Sequence, residues 1–425
     1  QIALVRPGPI SGAMVHPYLR RRHGLEPVVY PHASLEPVLR RTMGVPLFQE
    51  QVMRIAMVAA DYSPGEADQL RRDMAAWKRQ GNMAHHEEKL VGRMVAKGID
   101  ECFAQRVYDQ IKGFGAYGFP ESHAASFALI SYATAYLKCH APSHFYAALL
   151  NAQPMGFYSV STLVYGAQRE GVCVRPVDLR FSLWDCTLEA HEAGYALRMG
   201  LRFIKGLGSS QRHVFERVGP PQAGEELPHY ARRLGVDRGA LEALAEAGAF
   251  RCYGDRRAVL WCLSEPGLSR HEPLILPELP IALPELKPSE CIAWDQRRSG
   301  HSTGGHPLAL LRSHCDEQGY TSAQGMACAP DKSRVRCIGL VVCRQRPSTA
   351  SGVVFVTLED ETGFINLVVW PQVALRFRAL LRGVSVLAVG GRLQREEGVV
   401  HLIAHRFWVP ELSAGIEPVL SHDYR

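Results

Sequence analysis

Basic side chains recur at helical spacing in one short segment of the sequence. Ser63-Pro-Gly-Glu66 is a capping box with proline at the first helical position, so a helix is predicted to begin there. Its inward-facing apolar stripe would be formed by Ala67, Leu70, Met74 and Trp77. The basic residues off this stripe are Arg71, Arg72, Lys78 and Arg79. Arginine forks and a compact lysine charge suit nucleotide phosphates, although an ordinary solvated face shows the same pattern.

A glycine-rich segment, Gly113-Phe-Gly-Ala-Tyr-Gly118, has the G-x-G-x-x-G spacing of a dinucleotide fingerprint. That fingerprint must follow a strand, whereas residues 103–112 have helical spacing, so we reject it. The glycines are instead predicted to turn the backbone before a helix that is capped by Ser122 and runs to about Lys138. His123, near the start of this helix, could meet an anion with help from the helix dipole, or could only pack or cap.

A second glycine motif has the spacing of a helix-hairpin-helix, in which apolar residues precede a glycine turn: Leu201, Ile204, Gly206, Leu207 and Gly208. Such a turn presents backbone N–H groups to a DNA phosphate without reading the base sequence. The predicted DNA-binding residues here are Lys205, Gly206 and Gly208. A purely structural hairpin is the alternative, and Gln211 and Arg212 stand where such hairpins often have a small residue.

Five β-rich runs with alternating polarity occupy residues 334–342, 352–360, 365–370, 384–394 and 398–409. A helical stretch, Gln372 to Arg382, lies between the third and fourth runs. This order predicts an OB-fold barrel.

Basic and aromatic residues on the predicted barrel suit a single-strand platform. The candidate DNA-binding arginines near strand ends are Arg344, Arg346, Arg392 and Arg395. Phe355 and Phe364 could stack on bases or belong to the core, and Trp370 is predicted to be core. Residues 372–377 also resemble, faintly, a sliding-clamp-binding peptide, but their apolar side chains are expected to be buried on the barrel's own helix.

The sequence contains no D-x-D pattern, and Glu359-Asp360-Glu361 falls at a predicted strand turn. Nucleotidyl transfer uses two metal ions held by closely set carboxylates, so we predict no catalytic and no metal-binding residues in this chain. The eleven cysteines form no C-x-x-C pair, which argues against a zinc site and a disulfide framework and favours a reducing cytoplasm. No apolar run reaches the roughly 18 residues of a membrane span.

The 425 residues, 47% of them hydrophobic, are typical of a globular protein with several domains. Lysine and arginine number 48 against 42 acidic residues, and this mild excess lies toward the two ends of the chain. We predict a multidomain α+β protein with a helical domain, a hairpin module and a C-terminal barrel. The predicted boundaries are 1–150 for the helical domain, 151–262 for a helical connection with the hairpin, 263–330 for a proline-rich linker and connecting segment, 331–410 for the barrel and 411–425 for a tail.

Several long motifs occur in the order found in one polymerase family: residues 6–10 (RPGPI), 47–53 (LFQEQVM), 67–72 (ADQLRR), 115–119 (GAYGF) and 122–124 (SHA). They resemble the fingers domain of bacterial polymerase III alpha subunits, the C-family DNA polymerases. The resemblance continues through the hairpin and the barrel. Pro120-Glu121 and the segment 151–158 resemble the error-prone, ImuC-type branch. Only 15 residues follow Pro410, which leaves no room for the tau-binding domain of replicative relatives.

The resemblance implies an error-prone translesion DNA polymerase, of which this chain would be a C-terminal fragment inactive alone. Residues 1–150 would be part of the fingers, and Mg²⁺ would be held upstream by a palm domain. Arg71 and Arg72 match residues that contact the incoming dNTP, and Lys78 and His123 are weaker matches. Asp73, where relatives have a small residue, could turn toward Arg72.

The implied partners are primer-template and single-stranded DNA, the mutasome proteins ImuA and ImuB, and the sliding clamp through ImuB. A fragment of a replicative alpha subunit and a non-catalytic single-stranded-DNA-binding protein remain the alternatives.

Overall fold

The computed structural model describes residues 15–30, 32–80, 84–114, 120–156, 158–192, 194–264, 283–347, 352–396, 398–411 and 422–424. The chain divides into two compact units, Gln1–Ala135 and Tyr136–Arg425. The boundary between them falls within one long helix, before the predicted domain end at residue 150.

The first unit is helical. Its α-helices are α1 (Val15–Arg22), α2 (Glu36–Leu39), α3 (Gln49–Ala60), α4 (Pro64–Gln80), α5 (Ala84–Ala96), α6 (Glu101–Phe114) and α7 (Glu121–His140), the last of which crosses the unit boundary. Helix α6 confirms that the glycine-rich segment follows a helix and not a strand. Glycines 115 and 118 themselves lie outside the described residues. The core of this unit forms around fully buried side chains, including Leu35, Ile55, Leu70, Leu90 and Tyr108.

Helix α7 starts two residues earlier than a cap at Ser122 would place it. Ser122 lies in its first turn, so its assignment as the cap was wrong. The backbone N–H of Glu121 donates instead to the Glu50 carboxylate of α3, at 2.8 Å. An acceptor from another helix therefore meets one of the N–H groups that the first turn leaves unpaired.

The second unit begins with α8 (Pro142–Asn151) and α9 (Val160–Arg169). A small sheet follows, made of β1 (Val174–Arg175), β2 (Thr187–His191) and β3 (Gly194–Arg198) in the order β1-β3-β2. The description of residues 151–262 as a helical connection missed this sheet. The hairpin module continues with α10 (Ser209–Val218), α11 (Leu227–Leu234), α12 (Arg238–Glu246) and α13 (Arg256–Ser264).

The connecting segment is more regular than the prolines suggested. It contains α14 (Pro288–Ser299), a 3₁₀-helix over Pro307–Leu311, α15 (Arg312–Glu317) and α16 (Ala323–Cys328). Helix α14 begins at Pro288 because the first helical position has no need of a backbone N–H donor. Residues 265 to 282 of the predicted proline-rich linker lie outside the described residues.

The barrel confirms the predicted OB-fold. Its elements are β4 (Arg334–Gln345), β5 (Val354–Asp360), β6 (Gly363–Val369), α17 (Pro371–Arg376), α18 (Arg378–Gly383), β7 (Val386–Glu396), β8 (Val399–Trp408) and a short β9 (His422–Tyr424). The strand order is β5-β6-β8-β7-β4-β9, and pairing of β5 with β4 closes the barrel. Strand β4 can pair with both β7 and β5 because it is long and its register shifts at a bulge between Val341 and Cys343. In the described parts of both units, no helix has the length and apolar character needed to cross a membrane.

Candidate nucleotide and nucleic-acid binding sites

The capping box that fixes the start of α4 is present as predicted. Ser63 Oγ accepts from the backbone N–H of Glu66 at 3.2 Å, and Glu66 Oε2 accepts from the backbone N–H of Ser63 at 2.8 Å. Lys89 of α5 adds a hydrogen bond to Glu66, which is the main cause that lowers the pKa of this carboxyl to about 2. The start of α4 is therefore tied to α5 as well as capped.

The inward stripe of α4 is confirmed where its side chains are described. Ala67 and Leu70 are fully buried. The side chains of Met74, Trp77, Lys78 and Arg79 lie outside the described residues, so the predicted role of Lys78 stays a prediction.

Arg71 and Arg72 share one carboxylate. Arg71 Nε lies 2.9 Å from Asp68 Oδ1, and Arg72 Nη2 lies 2.7 Å from Asp68 Oδ2. The hydrogen bond from Arg71 is the largest cause that lowers the pKa of Asp68. The side chains of Arg71 and Arg72 are 40% and 66% exposed, so solvent and solutes reach both guanidinium groups. Sequence reasoning missed Asp68, although its spacings of three and four residues were a readable signal.

Asp73 does not turn toward Arg72, so that expectation was wrong. Its two carboxylate oxygens lie 2.8 Å from Gln69 Nε2 and 2.8 Å from His86 Nε2. Asp73 therefore links α4 to α5 and leaves the arginines to Asp68.

His123 lies in the first turn of α7, exposed, with its ring centroid 4.5 Å from that of Phe127. The same helix end carries the Glu121 side chain and receives Glu50, and both are carboxylates. These negative groups occupy the position that the helix dipole would otherwise offer to an anion. The predicted role of His123 toward a nucleotide stays a prediction.

The hairpin turn has the predicted apolar anchors, because Leu201 and Ile204 are fully buried. Its first helix is only a 3₁₀ turn, Leu201–Phe203. Gly206 adopts φ of 102°, which favours glycine. The N–H of Gly208 donates to Gln211 Oε1 at 2.9 Å, so Gln211 caps α10 where a small residue was expected.

Lys205 has an intramolecular role that the sequence did not reveal. Its Nζ donates to the backbone oxygen of Arg297 at 3.0 Å, at the end of α14. A lysine at this position compensates the negative end of the helix dipole. Within the hairpin turn, both Lys205 Nζ and the Gly208 amide thus have partners inside the protein.

Three of the four predicted barrel arginines donate to backbone oxygens. Arg344 Nη2 donates to Val384 at 2.7 Å, and Arg392 Nε donates to Lys332 at 3.2 Å. Arg395 Nη2 donates to Ala327 and Ala329 at 2.7 and 2.8 Å, where α16 ends. Arg346 is exposed just beyond β4. The structure thus gives three of these arginines structural contacts, and the binding of DNA by all four stays a prediction.

The aromatic residues of the barrel face outward more than predicted. Phe355 and Phe364 are 37% and 45% exposed. Trp370 is 53% exposed, so its assignment to the core was wrong. It follows buried Val369 at the end of β6, and side chains on a strand alternate between the two faces. On the following helix Leu375 is 73% exposed, so burial of the apolar residues in 372–377 was only partly correct.

A buried ionic cluster joins the barrel to the rest of its unit. Arg169 at the end of α9 lies 2.9 Å from the carboxylate of Glu359 and 5.0 Å from the ring centroid of Phe364. Burial raises the pKa of Glu359 to about 7, against the opposing effect of Arg169. Glu361 pairs with Arg312, with Oε2 2.9 Å from Nη2.

Asp360 accepts from the backbone N–H groups of Ala323 and Thr362. The three acidic residues of this turn are therefore structural. Over the described residues, no group of three potential metal-ligating side chains comes together.

Three family models match successive parts of the chain. Residues 1–98 match the bacterial DNA polymerase III alpha subunit finger domain, 171–260 a helix-hairpin-helix motif and 335–410 an OB-fold nucleic acid binding domain.

Curated relatives match almost the whole chain. It is 49% identical to an error-prone DNA polymerase of Methylococcus capsulatus over 96% of the chain and 41% of the relative. It is 49% identical to an enzyme of the same name from Pseudomonas paraeruginosa, over 96% of the chain and 40% of the relative. It is 47% identical to an error-prone DNA polymerase of Pseudomonas syringae pv. tomato, over 100% of the chain and 42% of the relative. The chain thus spans about two fifths of the length of these error-prone DNA polymerases, and it is similar to them over almost all of its own length.

Proposed function

We propose that the complete protein is an error-prone translesion DNA-directed DNA polymerase, which adds deoxynucleotides to a primer in damage-induced mutagenesis. This chain would supply a partial fingers domain over residues 1–150, a DNA-binding hairpin module over 151–262 and a nucleic-acid-binding barrel over 331–410. Residues 263–330 would connect the last two, and 411–425 would be a tail.

The observation that carries the proposal is the exposed guanidinium pair on α4. Arg71 and Arg72 are held by one partly exposed carboxylate of their own helix. An exposed ion pair of this kind is weak because solvent screens it, so a triphosphate can replace Asp68 as the partner. The phosphate oxygens of an incoming dNTP would then accept two forked donors at once, which both neutralises and orients the nucleotide.

The metal requirement is assigned to residues outside the described part of this chain. In nucleotidyl transfer, Mg²⁺ stabilises the attacking and leaving oxygens. The three carboxylates of the turn Glu359 to Glu361 do not fit that role, because they are committed to buried or half-buried structural contacts. The contribution of this chain is therefore to bind the nucleotide and the DNA.

The partners follow from the same assignment. The hairpin and the barrel would hold primer-template and single-stranded DNA in the cytoplasm. Within a mutasome, ImuA and ImuB would be the protein partners, and the sliding clamp would be reached through ImuB.

Primer extension by the complete protein tests the proposal. With Mg²⁺ and all four dNTPs, we expect templated addition on undamaged DNA and bypass of an abasic site. The 425-residue chain alone should extend no primer. Extension by the chain alone would show that catalytic carboxylates were overlooked. A complete protein that binds single strands but adds no nucleotide would be a non-catalytic binding protein, and the proposal would be wrong.

A further inference from the structure

A basic cleft of about 700 Å³ opens on the barrel, away from the strands β5 and β6. Its walls are formed by β4, β7, β8 and the turn after α15, and its lining includes Gly319, Arg334, Arg336, Gly390, Arg406 and Trp408. The volume lies within the roughly 300–1,000 Å³ of small-ligand pockets. We call it the arginine cleft.

Strand register places two arginines on opposite sides of a glycine. Arg336 of β4 pairs with Gly390 of β7, and Gly390 pairs in turn with Arg406 of β8. Neighbouring strands lie about 4.8 Å apart, so the two arginine backbones are about 10 Å apart with no side chain between them. This spacing leaves a slot between two guanidinium groups.

A β-bulge in β8 creates part of this arrangement. Gly390 pairs with Arg406 but Gly391 pairs with Ala404, so His405 is an extra residue in β8. His405 and Arg406 are consequently both exposed, where regular alternation would bury one of them. The bulge therefore places the His405 side chain at the surface beside Arg406.

The floor of the slot is an aromatic ring held in place. A Cβ atom at Gly390 would lie 3.5 Å from the Trp408 ring, so the glycine leaves that ring uncovered. Trp408 Nε1 donates to the Tyr320 hydroxyl at 3.0 Å, and the two rings are stacked with an interplanar angle of 28°. Because the indole N–H is already used, a ligand can meet Trp408 only through its ring surface.

The charges of the cleft are suited to an anion. No aspartate or glutamate is among its lining residues. Arg336 is held by a hydrogen bond to the Gln318 backbone oxygen at 2.6 Å. In the described part of the chain, the side chains of Arg334 and Arg406 have no hydrogen bond or ion pair, and the guanidinium of Arg406 lies only 6.0 Å from the Trp408 ring centroid. Both remain available to phosphate.

We propose that the arginine cleft binds a nucleotide unit of single-stranded DNA, with a phosphate between Arg336 and Arg406 and a base against Trp408. The proposal rests on the proposed DNA binding by the barrel and names a surface for it. On β5 and β6, Arg169 also lies over an aromatic ring, that of Phe364, but it is fixed there by its ion pair with buried Glu359, whereas Arg406 has, among the described residues, no ion pair that holds it over Trp408. Stacking without a hydrogen bond from the indole makes the contact tolerant of base sequence.

Fluorescence anisotropy with a labelled dT oligomer of roughly 16 nucleotides, the upper site size of one OB-fold, tests the proposal on the 425-residue chain. Arg336→Glu with Arg406→Glu should lower the affinity roughly tenfold or more. The double variant should also reduce the salt slope by roughly 0.7, because the two arginines share one phosphate and each phosphate neutralised on a single strand contributes about 0.7. Arg378→Glu with Arg382→Glu on α18 changes the net charge equally and should have little effect.

Gly390→Ala tests the base contact separately. The new methyl group covers the Trp408 ring without strain, since φ at Gly390 is not positive and the distance is an ordinary contact. Affinity should fall about fivefold or more with an unchanged salt slope. An oligomer of abasic units should bind the unaltered chain and Gly390→Ala equally. Gly383→Ala, where an added Cβ meets nothing within 4 Å, is the control.

The outcomes separate this proposal from the proposed function. If the double arginine variant binds like the α18 control, with both folded as judged by thermal unfolding, the cleft is not the binding surface, whatever primer extension shows. If the arginine variant weakens binding but Gly390→Ala does not, the cleft binds only phosphate and the base contact is wrong. If the unaltered chain fails to bind the oligomer, the proposed binding to the cleft is wrong. Nucleotide addition by the complete protein is tested separately by primer extension.

Discussion

The arginines of α4 and those of the barrel have different kinds of partner. Arg71 and Arg72 contact an exposed carboxylate on their own helix. Arg344 and Arg395 of the barrel donate to backbone oxygens, and Arg169 contacts a carboxylate that is almost fully buried. The first arrangement can exchange its anion for a phosphate, whereas the second holds parts of the fold together.

This difference shows that the number of arginines in a region says little about nucleic-acid binding. An exposed ion pair contributes about 0–1 kcal/mol and is replaced at small cost. When a guanidinium is removed from a buried carboxylate, an uncompensated charge stays in the interior, at a cost of about 3–5 kcal/mol. A buried carboxylate partner therefore removes an arginine from binding DNA or a nucleotide, whereas an exposed carboxylate leaves it available.

Removal of Arg169 should have the largest effect on stability. Arg169→Ala leaves the buried Glu359 without its cation, so the free energy of unfolding at pH 8 should fall by about 3–5 kcal/mol. Urea denaturation of the 425-residue chain measures it, with the exposed Arg378→Ala as the control. A decrease in the free energy of unfolding of less than about 1 kcal/mol would mean that the ion pair of Arg169 is as weak as those of Arg71 and Arg72 on α4.

The pH dependence of stability should reveal Glu359 itself. Its pKa is about 7 in the folded protein against an ordinary value of 4.5, so between these values the folded state binds the extra proton. The contribution of this group to stability therefore falls as the pH rises from about 4.5 to 7, by roughly 3 kcal/mol in all.

Comparison of unfolding free energies at pH 5 and pH 8 isolates this effect. The free energy of unfolding of Glu359→Gln should increase relative to that of the unaltered chain as the pH rises. Buried His306, whose pKa is lowered to about 3 by burial, has the opposite dependence, and its contribution is lost as the pH falls below 6.5. His306→Gln is therefore a control of opposite sign. Parallel pH profiles for Glu359→Gln and the unaltered chain would contradict the raised pKa.

Replacement of Asp68 should have a small effect on stability and a visible one on nucleotide binding. Asp68→Asn removes the carboxylate that Arg71 and Arg72 share, and because solvent screens this exposed ion pair the free energy of unfolding should change little. In the complete polymerase the KM for dNTP should fall, by no more than about fivefold, because the phosphate no longer competes with Asp68. A raised KM would mean that Asp68 positions the arginines for the nucleotide.

Local signals explain which parts of the structure could be predicted from the sequence. The start of α4 follows from Ser63 and Glu66, which are neighbours in the chain, and the barrel strands follow from their alternation. The Arg169–Glu359 contact joins residues that are far apart in the sequence, so no spacing could reveal it. The outward position of Trp370 was missed because an apolar strand does not show which of its faces the barrel encloses.

The arginine cleft was missed for a related reason. Arg336, Gly390 and Arg406 lie on three different strands, and only the register brings them into one row. The bulge at His405 sets which residues of β8 face outward, and its position depends on the pairing with β7.

Single-nucleotide incorporation by the complete polymerase tests the central claim most directly. Each charge-assisted contact to phosphate contributes about 1.5–3 kcal/mol, so Arg71→Ala or Arg72→Ala should lower kcat/KM by roughly one to two orders of magnitude. Binding of primer-template should stay nearly unchanged. Arg106→Ala on α6, also exposed, is the matched control and should be silent. If Arg71→Ala and Arg72→Ala incorporate nucleotides as efficiently as Arg106→Ala, the arginines of α4 form an ordinary solvated face and the nucleotide site is wrong.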